Sequence, residues 1–216
     1  MELKALMAVV MAWISVPIII TAIVAFYHRN RSSESQRTIR QLVVVALITQ
    51  LISYWLWRKA LNNLPILHLY TPLEFVLIIR FYKVWSGDFI VQKRLNWLAY
   101  SFVLVAIINV IFFQSLFEIN SYIRGLESVI IIILSLSFWA KIMRELQIER
   151  LVQSPLFWFN TAFLIYFSVN FILFVFSSDL NKLAVEKAIQ PWLVHCFFMT
   201  IYYLLLAIGL WRKQHQ

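Results

Sequence analysis

Seven long apolar stretches, separated by short polar connections, constrain this chain more than any other feature. They run from about residue 5 to 27, 42 to 57, 69 to 85, 95 to 117, 122 to 143, 156 to 177 and 192 to 211. Crossing the hydrocarbon core of a bilayer takes about 20 mostly apolar residues in a helix. Backbone polar groups inside lipid must be satisfied within the segment, so such stretches are read as helices. The expected fold is all-α: one transmembrane domain over residues 1–216, a polytopic seven-transmembrane-helix bundle. Composition agrees. Hydrophobic residues make up 62% and charged residues 13% of the chain, against roughly half and a quarter in a soluble domain.

Helix chemistry marks several boundaries. Ser154-Pro155 puts a capping hydroxyl before a proline at the first helical position. Gln190-Pro191 suggests a similar start for the seventh helix, and Pro72 is expected in the first turn of the third. Pro17 falls mid-helix in the first span and is expected to kink it. Of the tryptophans, Trp55, Trp57, Trp85, Trp97, Trp139, Trp158, Trp192 and Trp211 lie near expected helix ends, and Trp13 lies deeper. That distribution matches the aromatic belts of membrane interfaces. The first span is not expected to be a cleaved signal peptide, because its strong positive charge (Arg29, Arg31, Arg37, Arg40) follows the apolar run.

Basic residues set the expected orientation. Arg29, Arg31, Arg37, Arg40, Lys83, Lys93, Arg94, Lys141, Arg144, Arg150, Arg212 and Lys213 fall on one side. Lys4, Arg58, Lys59, Lys182 and Lys187 fall on the other. Twelve against five makes the first side cytoplasmic by the positive-inside rule. The N-terminus is then outside and the C-terminus in the cytoplasm. The formal charge of +9 is explained by these loops, and no nucleic-acid partner is expected. The lipid bilayer is the expected surrounding. Arg80, with Tyr82 and Lys83, is expected to snorkel to the cytoplasmic surface. His28 and His215 read as solvated, and the segment Lys141 to Arg150 as a solvated extension of the fifth helix.

Polar residues inside spans are costly and usually functional or paired. Glu74, Arg124, Glu127, Asn170 and His195 all fall in the outer half of their spans, as do Gln50, Ser53 and Gln114. His68 and Tyr70 stand at the mouth of the third helix. The inner half is mostly Ile, Leu, Val and Phe. One polar layer suggests a pocket open to the outside. The candidate ligand-binding residues are Glu74, Glu127, His195, Asn170, Tyr70, His68 and Arg124. A purely structural arrangement competes with this one. In it, Arg124 pairs with Glu127 at i, i+3, and Glu74 and His195 satisfy one another.

Several classes fit poorly. Residues 192–210 contain no lysine for a retinal Schiff base. The single cysteine, Cys196, excludes an intramolecular disulfide and a Cys-based zinc site, and it reads as a packing residue. Three glycines cannot build a phosphate loop. No residue pattern specifies a cofactor.

The stretches Asn62-Asn63-Leu64-Pro65 and His68-Leu69-Tyr70-Thr71-Pro72-Leu73-Glu74-Phe75 resemble a family of uncharacterised bacterial seven-helix membrane proteins. So do Pro155-Leu156-Phe157-Trp158, Ile165-Tyr166-Phe167-Ser168 and Ala207-Ile208-Gly209-Leu210-Trp211. The resemblance covers helices two to seven. It implies a multi-pass protein of the bacterial inner membrane, and no activity. The expected function is a receptor-like sensory module. It would bind a small ligand from outside and signal through a separate cytoplasmic partner. The alternatives are a membrane-embedded lipid-modifying hydrolase and a small-solute transporter.

Overall fold

A computed structural model describes residues 2–27, 33–144, 148–177 and 185–212. Among them are seven α-helices and no strand: α1 (Glu2–Tyr27), α2 (Glu34–Arg58), α3 (Leu64–Ser86), α4 (Phe89–Phe112), α5 (Ser121–Arg144), α6 (Pro155–Val175) and α7 (Val185–Trp211). A short 3-10 turn, Ile148–Gln153, lies between α5 and α6. Six helices, α2 to α7, are long and apolar enough to cross a membrane, and the described apolar part of α1 covers Ser15–Tyr27. The expected basic residues Arg29, Arg31, Lys182 and Lys213 lie outside the described residues, as do His28 and His215 and the side chains of Lys4, Arg150 and Lys187.

The outer surface is that of a membrane protein. Ile23, Ile107, Ile111, Ile133, Ile172 and Phe197 are each more than half exposed. A water-soluble monomer does not carry apolar surface on this scale. The molecule is a multi-pass helical protein with lipid as its natural surround.

Helix starts follow local capping. Ser33 accepts from the Gln36 backbone N–H (3.2 Å), and the Gln36 side chain accepts from the Ser33 N–H (3.1 Å). This reciprocal box starts α2 eight residues before the expected span. Asp88 accepts from Ile90 (2.7 Å) and Val91 (3.1 Å) to start α4, and Ser154 accepts from Leu156 to start α6, as expected. Two prolines sit differently from expectation. α3 begins at Leu64 with Pro65 in its first turn, so Pro72 lies inside the helix. α7 begins at Val185, which places Pro191 inside it. α4 ends at Phe112, so Gln114 belongs to the connection to α5. α5 is described to Arg144, and Ile148–Gln153 is a 3-10 turn, so the expected helical extension does not run unbroken to Arg150.

The helices alternate in direction. α1, α2, α3, α5, α6 and α7 pack as a closed ring, each against the next, and α4 packs outside it against α3 and α5. α4 accordingly buries one narrow stripe: Leu95, Ala99, Phe102, Ala106 and Asn109. Phe75 on α3 and Phe102 on α4 stack with ring centroids 3.8 Å apart. In lipid, helices associate through close packing and interhelical hydrogen bonds. Both are present at the α7 seams. Thr21 Oγ1 lies 2.8 Å from the Pro17 carbonyl and 2.9 Å from that of Tyr203, tying α1 to α7 beside the helix-interior proline. Gln36 Nε2 reaches the carbonyls of Gly209 (3.1 Å), Leu210 (3.4 Å) and Arg212 (2.8 Å). Those of Gly209 and Leu210 belong to the last turn of α7, which has no onward helical partners, and that of Arg212 follows it.

A buried polar knot sits among the aromatic side chains of the core. The Tyr82 hydroxyl donates to Asn160 Oδ1 (2.7 Å) and lies 2.8 Å from Ser135 Oγ. Asn160 Nδ2 donates to the Ser135 carbonyl (3.2 Å). Tyr82 is therefore an interior residue at 2% exposure and does not snorkel with its neighbours. Arg80 is directed to Gln41 on α2 (3.2 Å). The half of the bundle expected to be mostly apolar thus contains a satisfied polar link between α3, α5 and α6.

Candidate functional site

The i, i+4 spacing puts Tyr70 and Glu74 on one face of α3, and the Tyr70 hydroxyl donates to Glu74 Oε1 at 2.9 Å. α5 supplies Arg124 and Glu127 one turn apart. Arg124 Nη1 lies 2.5 Å from Glu74 Oε2 and 2.8 Å from Glu127 Oε2. One guanidinium nitrogen therefore holds carboxylates from two helices. Glu74 is 2% exposed and Glu127 0%, whereas the Arg124 side chain keeps 19% of its surface open. Arg124 is the accessible face of the cluster.

α6 completes the surround. The Phe174 ring centroid lies 4.9 Å from the Arg124 guanidinium carbon, and that of Tyr70 lies 5.6 Å away. These are cation–π distances. Gly125 allows this approach. A Cβ there would stand 3.0 Å from Val175 Cγ2, the residue after Phe174. The glycine thus lets α6 come close enough to seat Phe174 on Arg124.

His195 of α7 forms a second, adjoining pair. Asn170 Nδ2 donates to the Tyr166 carbonyl at 2.8 Å, which leaves its Oδ1 as acceptor. His195 Nδ1, 2.9 Å from that oxygen, is then the donor. The imidazole is surrounded by Tyr166, Phe174 and Trp192, with ring centroids 5.7–5.8 Å away. Phe174 thus touches both the arginine and the histidine.

Of the seven expected site residues, Tyr70, Glu74, Arg124 and Glu127 form one connected cluster, and Asn170 and His195 join it through Phe174. His68 lies apart. Its Nε2 is 2.9 Å from the Glu118 carbonyl and fastens α3 to the α4–α5 connection. Gln114 serves the same connection. It accepts from Asn109 (3.2 Å) and donates to Ser121 (2.9 Å). Gln50 donates to Ser15 on α1 at 3.2 Å. The structural pairing expected for these residues needs one correction. Arg124 does pair with Glu127, but it also takes Glu74, and His195 bonds to Asn170 instead of Glu74.

Phe174 was not anticipated as a site residue, since a phenylalanine in an apolar span carries no polar signal. The Tyr82–Ser135–Asn160 knot was missed for a different reason: its members lie on three separate helices, and nothing along the chain pairs them. An open hollow of about 460 Å3 runs along Val110–Phe117, and none of its lining residues belongs to the cluster.

The chemistry available is that of an over-subscribed cation. With both carboxylates ionised the cluster carries one excess negative charge in a low-dielectric setting. Arg124 can be won from one carboxylate by anything that competes for it. Among the described residues, no three His, Cys, Asp or Glu side chains are grouped to hold a metal ion. Compared with family models, curated proteins and solved structures, the chain matches none.

Proposed function

We propose that this protein is a seven-span, receptor-like module of a bacterial inner membrane, with its N-terminus outside. It binds a small ligand from outside at the Glu74–Arg124–Glu127 cluster and signals through a separate cytoplasmic protein. The distribution of basic residues supports the orientation. The excess of described apolar helices supports the membrane setting.

One observation carries the reading. Arg124 bridges a carboxylate of α3 and a carboxylate of α5 while its own side chain stays partly open. A ligand shifts a bundle only by binding two arrangements with different affinity. A ligand that engages Arg124 competes with Glu74 and so loosens the strap between α3 and α5. The far ends of these two helices carry Lys83, Lys141 and Arg144. Lys141 rests over the Trp85 ring at 4.8 Å, so α3 and α5 touch there too. A change in their spacing would reach a surface suited to a cytoplasmic partner.

Native mass spectrometry of detergent-purified protein tests this, with Glu74→Ala and His195→Ala beside the parent chain. The expected result is a retained small molecule that Glu74→Ala loses. Retention of the same mass by both variants, folded as well as the parent, would remove the cluster from the binding site.

A further inference from the structure

We infer that Glu127 is a proton-binding site: at neutral pH its carboxyl group holds an exchangeable proton, and that proton decides how Arg124 is shared. The inference concerns the same cluster as the proposed receptor site but requires no ligand there.

The two glutamates are placed unequally. Glu74 has both oxygens engaged, Oε1 by the Tyr70 hydroxyl and Oε2 by Arg124. Glu127 has only Oε2 engaged, and its Oε1 is buried with no hydrogen-bond partner. The whole side chain is 0% exposed. An ionised carboxylate with an unpaired oxygen in a dry interior is among the costlier groups a fold can hold. A neutral O–H left without an acceptor costs far less. Two ionised carboxylates on one guanidinium nitrogen also repel each other, so one proton shared by the pair relieves both penalties. A proton is also the one ligand small enough to reach Oε1 as the side chains stand, because no solvent-sized sphere touches that atom.

The other titratable groups within electrostatic reach do not supply the missing charge. α3 brings Tyr70 and Glu74, α6 brings Tyr166, and α7 brings His195, Tyr202 and Tyr203. Tyrosines are neutral at neutral pH, and a second cation on His195 would stand beside Arg124, which repels it. Arg124, on the same helix as Glu127, is the cation, and Glu74 already claims it.

With Oε1 protonated, Oε2 still accepts from Arg124 as a carbonyl oxygen, and the full ion pair belongs to Glu74. When the proton leaves, Arg124 divides between two anions and the α3–α5 strap weakens. The site thus couples a proton to the helix pair through which a signal would pass.

Infrared difference spectroscopy of the whole protein in lipid tests this. At neutral pH exposed carboxyl groups are ionised, so a protonated-carboxyl C=O band then reports a buried acid. The expected result is a band that disappears on alkaline titration, is absent in Glu127→Gln and keeps its frequency in Tyr70→Phe, which removes a hydrogen bond from Glu74 and none from Glu127. A parent protein with no such band at neutral pH overturns the inference without recourse to any variant. So does a band that survives Glu127→Gln or shifts in Tyr70→Phe. The band does not depend on a retained ligand, so this result and the mass-spectrometric one can fail separately.

Discussion

Arg124→Met is expected to destabilise the protein by about 3–5 kcal/mol, the usual cost of removing one partner from a buried ionic cluster. The substitution keeps most of the side chain's volume but removes the cation between Glu74 and Glu127. It also removes the group that Phe174 and Tyr70 face. The Glu74 carboxylate would then remain buried with no counter-charge, beside the carboxyl group of Glu127. Taking away a carboxylate instead should cost less, because it leaves a one-to-one pair. Glu74→Gln is expected to cost about 1–3 kcal/mol, since the group it alters has both oxygens engaged. Glu127→Gln should cost least, because its amide resembles the neutral acid. Equilibrium unfolding in mixed micelles measures this order. A smaller loss for Arg124→Met than for either glutamine variant would contradict the geometry.

The second large effect is a packing one. Gly209 on α7 faces Phe159 on α6, and a Cβ at 209 would lie 2.7 Å from Phe159 Cδ1 and closer still to Cε1. Phe159 is wholly buried and meets the Phe81 ring edge-on at 5.9 Å, so it has nowhere to retreat. Gly209→Leu must therefore push α6 and α7 apart. The expected loss is about 3 kcal/mol, the upper end of ordinary overpacking, with Gly209→Ala losing less. Separation of these helices would also strain the His195–Asn170 bond across the same seam. In an open helical position, glycine to alanine stabilises by up to about 1 kcal/mol. The sign alone is thus diagnostic, and unfolding midpoints for the two variants read it. A stabilised Gly209→Ala would show that the seam is looser than described here.

Counting apolar residues located all seven helices and placed α5 and α6 within a residue or two of their bounds. It failed at the starts of α2, α3, α4 and α7 and at the end of α4. Polar turns beyond an apolar run carry no hydropathy signal. Ser33 with Gln36 and Pro65 after Leu64 were the local marks that would have found two of those starts. Within the site, spacing along one helix was legible: Tyr70 with Glu74 at four, Arg124 with Glu127 at three. Which helices face one another was not. α3 meets α5 as its neighbour in the ring because α4 lies outside, and no periodicity in α4 announces that. The same ignorance of neighbours assigned His195 to Glu74 when Asn170 was closer. Tyr82, Ser135 and Asn160 went unread because a polar pair needs its helices placed before it can be recognised.

The central claim is that the chain spans a membrane with the Glu74–Arg124–Glu127 cluster near its outer face. Labelling of single cysteines with a membrane-impermeant maleimide tests it most directly. In a Cys196→Ala background, Glu118→Cys marks the exposed connection at the cluster end of the bundle, and Lys93→Cys marks the exposed first turns of α4 at the opposite end. Glu118→Cys is expected to react in intact cells, whereas Lys93→Cys reacts only after the membrane is opened. The reverse pattern, or equal labelling of both in intact cells, would contradict it.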